Sequence, residues 1–175
     1  MKIPVADLQS SEGGQEHHQF QVALPPLKLA GEEAAFLGPV RVEADLYSSG
    51  REITAQVKAG GRLAMACGRC LNPVEVPLET GFTETLRPYP RVPKESGGDE
   101  DFTYYHDDVI DLRPLVEEHL LLAAPMKVLC SEDCKGLCPR CGRNLNQGPC
   151  NCEPEAADAR LAVLADLLRD RNQLS

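Results

Sequence analysis

Apolar and polar residues alternate along residues 37–87, which is the period of a half-buried β-strand. Turn signals such as Tyr47-Ser-Ser-Gly50 and Ala59-Gly60-Gly61 separate the alternating runs. The apolar positions are Val40, Val42, Ala44 and Leu46; Ile53, Ala55 and Val57; Leu63, Met65 and Cys67; Val74, Val76 and Leu78; and Phe82 and Leu86. The pattern predicts short strands in an antiparallel meander or open barrel. Cys67 and Cys70 would lie at a hairpin tip, where Gly68 eases the tight turn.

A helical period follows farther along the chain. Asp111 is a plausible N-cap, Pro114 suits the first turn, and Pro125 ends the segment. The apolar stripe comprises Leu112, Leu115, Val116, Leu120, Leu122 and Ala123, with His119 among them. Residues 153–174 carry a second stripe of this kind and predict a C-terminal helix. The expected fold class is therefore α+β, with a long helix, a cysteine-rich segment and a C-terminal helix.

Proline, glycine and acidic residues interrupt both patterns between the sheet and the helix. They predict three regions. Residues 1–87 would form an antiparallel β domain that carries the first C-x-x-C. Residues 88–110 would form an acidic linker, and residues 111–175 would hold the helix, the cysteine-rich segment and the C-terminal helix.

The formal net charge of the 175-residue chain is -9. A field of this sign repels nucleic acid, so any RNA contact requires a local basic face. The first residues lack the apolar core of a secretion signal, and no apolar run reaches the roughly 18 residues that a membrane span needs. We therefore expect a cytoplasmic protein with no membrane partner.

Eight cysteines supply the candidate chemistry. Six of them lie between Cys130 and Cys152, and the other two form Cys67-Gly-Arg-Cys70. Disulfides are rare in a reducing cytosol, and a secreted disulfide framework would require a signal peptide. Closely spaced cysteine pairs are typical of thiolate ligands for zinc. The sequence predicts metal binding by all eight: Cys67, Cys70, Cys130, Cys134, Cys138, Cys141, Cys150 and Cys152.

Two zinc ions would need two groups of four ligands. Cys138-Pro-Arg-Cys141-Gly142 is a good knuckle because proline stiffens the turn and Gly142 permits a positive φ. Cys150 and Cys152 are its favoured partners, since they are close in sequence and Gly148-Pro149 turns the chain back. Cys67, Cys70, Cys130 and Cys134 would then form the other group. The long intervening loop is acceptable, since closure entropy grows by only about 0.6 kcal/mol per doubling of loop length. The rival grouping joins Cys130, Cys134, Cys138 and Cys141, and leaves Cys67, Cys70, Cys150 and Cys152 together.

Neither grouping predicts an enzyme. A catalytic zinc keeps an open position for water, and eight thiolates on two metals leave none. No His is followed two residues later by Glu, so the zinc deaminase signature is absent. Five cations near the cysteines either contact phosphates or neutralise the metal centres. They are Arg69, Lys127, Lys135, Arg140 and Arg143, and all but Lys127 are the candidate contacts to RNA or a partner.

Three stretches together resemble the bacterial YceD family, which has plastid relatives. They are Cys67-Gly-Arg-Cys-Leu71, Asp111-Leu112 through Leu120-Leu-Leu-Ala-Ala-Pro-Met126, and the whole of Cys130–Cys152. Arg160-Leu161-Ala-Val-Leu164 also fits the Arg-Leu-x-x-Leu pattern that is usual in the family's tail. The resemblance covers about residues 35–170.

The resemblance implies a non-enzymatic factor for synthesis, processing or accumulation of the 23S ribosomal RNA. Its partner would be the ribosomal RNA precursor or a large-subunit ribosomal protein, with no small-molecule substrate. Some relatives lack the second cysteine group, which favours the first grouping. A zinc- or redox-responsive interaction module is the alternative, since the chain is acidic and dense in thiols.

Overall fold

The computed structural model describes residues 1–11, 13–29, 31–89 and 103–152. Short strands and one short helix precede two long strands, and the longer helix follows them. In chain order the elements are β1 (Lys2–Pro4), α1 (Ala6–Ser10), β2 (Gln15–Val22), β3 (Leu27–Leu29), β4 (Glu32–Phe36), β5 (Val40–Ser48), β6 (Ile53–Ala66), β7 (Pro73–Pro88), β8 (Thr103–Tyr105), β9 (Val109–Asp111), α2 (Arg113–Ala123) and a 3₁₀ turn, Leu145–Gln147.

Strand β6 is the centre of the larger sheet. It pairs with β7 along its whole length, from Ile53 opposite Leu86 to Ala66 opposite Pro73. On its other side it pairs first with β5 and then with β4. Strands β2 and β3 extend the sheet beyond β5 and β4, and β8 adds in parallel to the end of β7. The α+β class is confirmed, and the predicted meander is confirmed in part, since β5, β6 and β7 pair antiparallel in chain order. No pairing among the described strands closes the sheet into a barrel.

The turn expected at Gly60-Gly61 does not occur, and two long strands replace the four short ones predicted. Gly60 and Gly61 continue β6 and lie opposite Glu79 and Leu78 of β7. A side chain at Gly61 would meet the Val40 side chain at 3.2 Å and the Phe36 ring at 3.4 Å. Gly61 thus allows neighbouring strands to approach the backbone closely, which is a second role of glycine in sheets.

Helix α2 packs against the larger sheet. It contacts β7 above all, and its buried side chains are Val116 and Leu120. Burial alternates along β5 and the first half of β6, so these strands present one apolar side to the core. The largest fully buried side chains are Ile3, Leu46, Ile53, Leu63, Leu86, Ile110, Leu112 and Leu120.

The helix is shorter than predicted and begins later. It has 11 residues, and Leu112 rather than Asp111 is the N-cap. Asp111 ends β9, yet its Oδ1 accepts the backbone N–H of Arg113 at 3.0 Å and the N-terminal ammonium at 3.2 Å. Burial alone would raise the pKa of Asp111, but these donors hold it below its usual value. Asp111 therefore still stabilises the helix start, from inside a strand.

Part of the predicted linker is ordered. Within 103–111, β8 joins the large sheet and β9 pairs with β1, bringing Ile110 opposite Ile3. The predicted C-terminal helix and the rest of the linker, 90–102, lie outside the described residues. None of the described helices has the length and apolarity to cross a membrane.

Two compact units divide the chain. The first, which we call the sheet unit, is Met1–Cys134 and contains both sheets and both α-helices. The second begins at Lys135 and is described through Cys152. The domain boundaries inferred from composition stay a prediction.

Candidate metal centres

The eight cysteines lie in two groups of four. Within each group all four Sγ atoms lie within 4.8 Å of one another. The sheet unit holds Cys67, Cys70, Cys130 and Cys134, and the second unit holds Cys138, Cys141, Cys150 and Cys152. The structure therefore brings together the grouping that the spacing favours and not its rival. We refer to these groups as the first and second site.

The first site joins the β6–β7 hairpin to the segment that follows α2. The Sγ of Cys67 lies 3.8 Å from that of Cys134, and the Sγ of Cys70 lies 3.6 Å from that of Cys130. Four sulfurs at about 2.3 Å from a tetrahedral zinc would be about 3.8 Å apart, so the donor set fits the metal. The backbone adds a second link, because the N–H of Gly68 donates to Val128 O at 2.8 Å.

Both C-x-x-C turns have one backbone conformation. In the first site Leu71 N donates to Cys67 O at 2.9 Å and Cys67 N donates to Asn72 O at 2.8 Å. In the second site Gly142 N donates to Cys138 O, and Cys138 N donates to Arg143 O, at the same distances. The chain thus builds the same knuckle twice.

The residue after the second cysteine of each knuckle has a positive φ. It is Gly142, with φ 71°, in the second knuckle, as predicted. In the first it is Leu71, with φ 61°, and not Gly68. The prediction that Gly68 eases this turn is wrong, since the left-handed position falls three residues later. Leucine rarely adopts this conformation, which costs roughly 1–2 kcal/mol.

Arg69 is occupied within the first site. Its guanidinium donates to the carbonyl oxygens of Glu132, at 3.1 Å, and Cys134, at 2.9 Å. It therefore fixes the loop that carries two of the four thiols. Of the alternatives left open for this arginine, the geometry favours a role at the metal centre over a contact with RNA.

Side-chain amides hold the turns of the second knuckle. Asn146 Oδ1 accepts the N–H of Lys135 at 2.8 Å, and Asn144 Oδ1 accepts the N–H of Asn146 at 3.0 Å. Leu145 N donates to Gly136 O at 2.9 Å. These bonds bring the two ends of the knuckle together around Cys138, the only buried cysteine of this site.

Backbone donors and neighbouring thiols move the pKa values of the cysteines in opposite directions. The N–H of Arg69, with those of Cys70 and Cys130, lowers the pKa of Cys67 to about 6. The N–H of Cys141 and that of Arg140 lower the pKa of Cys138 to about 6. The hydrogen bond with Cys70 raises the pKa of Cys130 to about 12, and that with Cys141 raises the pKa of Cys152 to about 12. Near neutral pH each site therefore contains one cysteine that is mostly a thiolate and one that stays protonated.

These values predict that zinc affinity falls as pH falls. Near neutral pH the metal must displace at least the proton of Cys130 in the first site and that of Cys152 in the second. We expect each site to lose about tenfold or more in affinity per pH unit, and more steeply below pH ~6, where Cys67 and Cys138 also take up protons. Competition with a chelator at several pH values measures this slope. Affinity independent of pH would contradict four-thiolate binding.

The segment 135–152, which contains the second knuckle and is called by that name below, is basic at its surface. Lys135, Arg140 and Arg143 are exposed, and the segment contains no carboxylate. None of the three side chains has a hydrogen bond or ion pair with another described residue. Of the four cations predicted as contacts, these three are thus accessible, whereas Arg69 is engaged.

Comparison with known proteins places this arrangement in a family. Residues 55–168 match the family model described as large ribosomal RNA subunit accumulation protein YceD. The chain is 29% identical over 138 residues to the uncharacterized protein YlbN of Bacillus subtilis, covering 78% of each chain. It is 31% identical over 102 residues to an uncharacterized protein of Mycobacterium tuberculosis, covering 58% of this chain and 49% of the relative.

A plant protein is also similar, at 25% identity over 167 residues, covering 77% of this chain and 50% of the relative. It is the chloroplastic large ribosomal RNA subunit accumulation protein YCED homolog 1 of Arabidopsis thaliana. The chain thus spans about half the length of its mycobacterial and plant relatives. No solved structure shows detectable similarity. The family model covers more than half of the chain, including all eight cysteines, and the chain therefore belongs to the YceD family.

Proposed function

We propose that the chain is a non-enzymatic zinc protein of the cytoplasm that supports accumulation of the large ribosomal RNA. The observation that carries the proposal is the pair of four-cysteine sites within the region that matches the family. Four thiolates satisfy a tetrahedral zinc and leave no position for a substrate or an activated water. Zinc in such a site stabilises the surrounding fold and takes no part in a reaction. We therefore infer that the protein acts by binding a partner through its surface.

We place RNA contact on the second knuckle. Lys135, Arg140 and Arg143 supply three positive charges, and a zinc ion with four thiolates supplies -2, so the knuckle carries about +1. The whole chain carries -9, so this is a local exception in a repulsive field. Such a patch can contact phosphates while the remaining surface suppresses non-specific binding.

Charge reversal on the knuckle tests this contact. In the double variant Arg140→Glu, Arg143→Glu, affinity for a transcribed precursor of the large ribosomal RNA should fall at least tenfold. Its salt dependence should also flatten, because each lost phosphate contact removes about 0.7 from the slope of log affinity against log salt for single strands. Electrophoretic mobility shift at several salt concentrations measures both.

The matched control is Arg41→Glu, Arg51→Glu, the same charge change on exposed arginines of the sheet unit. It should keep most of the affinity, and both doubles should retain two zinc ions. In cells depleted of the protein, the control should restore the ratio of large to small ribosomal RNA and the knuckle variant should not. If the two doubles bind RNA alike, the knuckle is not the contact.

A zinc- or redox-responsive interaction module is the second candidate. Cys130 and Cys141 are exposed, so an oxidant can reach one thiol of each site. Release of zinc at low peroxide concentration, with loss of RNA affinity that a reductant restores, would favour this function. Zinc retained through the same treatment favours a constitutive factor.

A further inference from the structure

Large apolar side chains are exposed around the first site. Leu71 is 63% exposed, Met126 is 80% exposed and Leu129 is 40% exposed. Leu71 and Met126 belong to the stretches that carry the family resemblance and Leu129 lies between two of them, but sequence analysis assigned none of the three a role. We call these three residues the tip patch.

The tip patch lies on the two pieces of chain that the first site fastens together. Leu71 directly follows Cys70, Leu129 directly precedes Cys130, and the sulfurs of those cysteines are 3.6 Å apart. Met126 lies two residues before Val128, which forms a β-bridge with Cys67. The ligands of one metal centre therefore set the positions of all three side chains.

Leu71 is held in a conformation that leucine disfavours, and burial does not compensate. The equivalent residue in the second knuckle is Gly142, which adopts the same φ without strain. The knuckle imposes this φ, so an exposed leucine here carries a conformational cost that its own packing does not offset. A partner that covers the side chain would offset that cost.

A groove of about 300 Å³ adjoins the patch and shares Met126 with it. Its lining includes Glu32, Glu33 and Lys127, with Met65 and Val128 among the apolar residues.

The charges around the groove and patch favour a cation. Glu32, Glu33, Glu132 and Asp133 are exposed, against the cations Lys28, Lys127 and Arg69, of which Arg69 is occupied by carbonyl oxygens. This gives a local charge of about -1, and a zinc ion with four thiolates lowers it to about -3. Phosphates would be repelled here, in contrast to the second knuckle.

We propose that the tip patch and its groove dock a basic protein segment, rich in lysine or arginine, through an apolar anchor side chain. The apolar residues supply buried area and the carboxylates select the sign of the partner's charge. This surface shares no residue with the proposed RNA contact, so the chain would hold an RNA and a basic protein through different residues. A basic protein that itself binds RNA fits both.

Three synthetic peptides test the docking site by fluorescence anisotropy with the zinc-loaded full chain. The first combines leucine pairs with lysines, the second replaces its leucines by serine, and the third replaces its lysines by glutamate. We expect only the first to bind. Leu71→Asn together with Met126→Ser should weaken it at least tenfold, since two anchoring side chains are lost and asparagine tolerates the backbone conformation.

Charge reversal provides a second variant that leaves the apolar residues in place. Glu32→Lys, Glu33→Lys should weaken binding of the lysine peptide and strengthen binding of the glutamate peptide.

Tyr89→Ser is the control for the loss of exposed apolar side chains, because Tyr89 is 51% exposed and follows the end of β7 that is remote from Cys70. It should bind as the unaltered chain does, and all variants should keep the RNA affinity of the second knuckle.

Other occupants give different results. A photo-crosslinker at position 126 that links two copies, or links to the same chain, would overturn the proposal. So would equal binding of the three peptides, no binding at all, or a lysine peptide whose affinity neither double variant changes. The Arg140→Glu, Arg143→Glu chain should lose RNA binding and keep peptide binding, because the two surfaces share no residue.

Discussion

Replacement of Cys67 by serine should remove one of two zinc ions and lower the free energy of unfolding of the sheet unit by more than about 4 kcal/mol. Cys67 is fully buried, and backbone N–H groups of three residues point at its sulfur. A serine hydroxyl does not ionise at neutral pH and cannot replace the thiolate. Structural zinc can supply about 10–16 kcal/mol of apparent binding energy, which bounds the effect.

The loss should be visible as a thermal shift. For a unit of this size, about 4 kcal/mol corresponds to a fall in Tm of roughly 15 °C, followed by circular dichroism. Ala66→Ser is the control, because it adds the same hydroxyl at an exposed neighbouring position. The variant and the control should differ by most of the shift. A Cys67→Ser chain that retains two zinc ions would contradict the assignment.

Replacement of Cys138 by serine should have a larger local effect and a smaller global one. Among residues 135–152 the only regular element is a three-residue 3₁₀ turn, and Cys138 is the only buried side chain. A segment with so little apolar burial cannot fold without its metal. We expect amide protection to vanish across 135–152 and RNA affinity to fall at least as far as in the double arginine variant.

The sheet unit should be nearly unaffected by that change. Among the residues that the structure describes, its core and its metal site are formed by its own side chains. Hydrogen exchange should show unchanged protection in β6 and β7, and Tm should move by less than a third of the Cys67→Ser shift. Persistent protection in 135–152 without zinc would mean that something other than the metal holds the knuckle.

Patterns that repeat locally were predictable from the sequence. The alternation of β5 and β7, the helical period and the spacing of the cysteines each express a contact with near neighbours in the chain. The knuckle at Cys138 could be recognised because Pro139 and Gly142 suit its turn. The preferred grouping of the cysteines followed from the same local geometry.

Features set by distant contacts were not predictable. Gly60-Gly61 has the composition of a turn, but pairing with β5 and β7 continues the strand through both residues, and Val40 and Phe36 leave no room for a side chain at Gly61. β1 pairs with β9 more than 100 residues away, and its three residues carry no signal of that pairing. Leu71 at a left-handed position contradicts its own preference, so only the fold could reveal it.

The grouping of the cysteines into two sites is the central claim, and zinc counts of paired variants by native mass spectrometry test it most directly. Cys67→Ser with Cys130→Ser removes two ligands from one site, so we predict that one zinc ion remains. Cys67→Ser with Cys150→Ser removes a ligand from each site, so we predict that none remains. The rival grouping predicts the reverse, and that result would contradict the account.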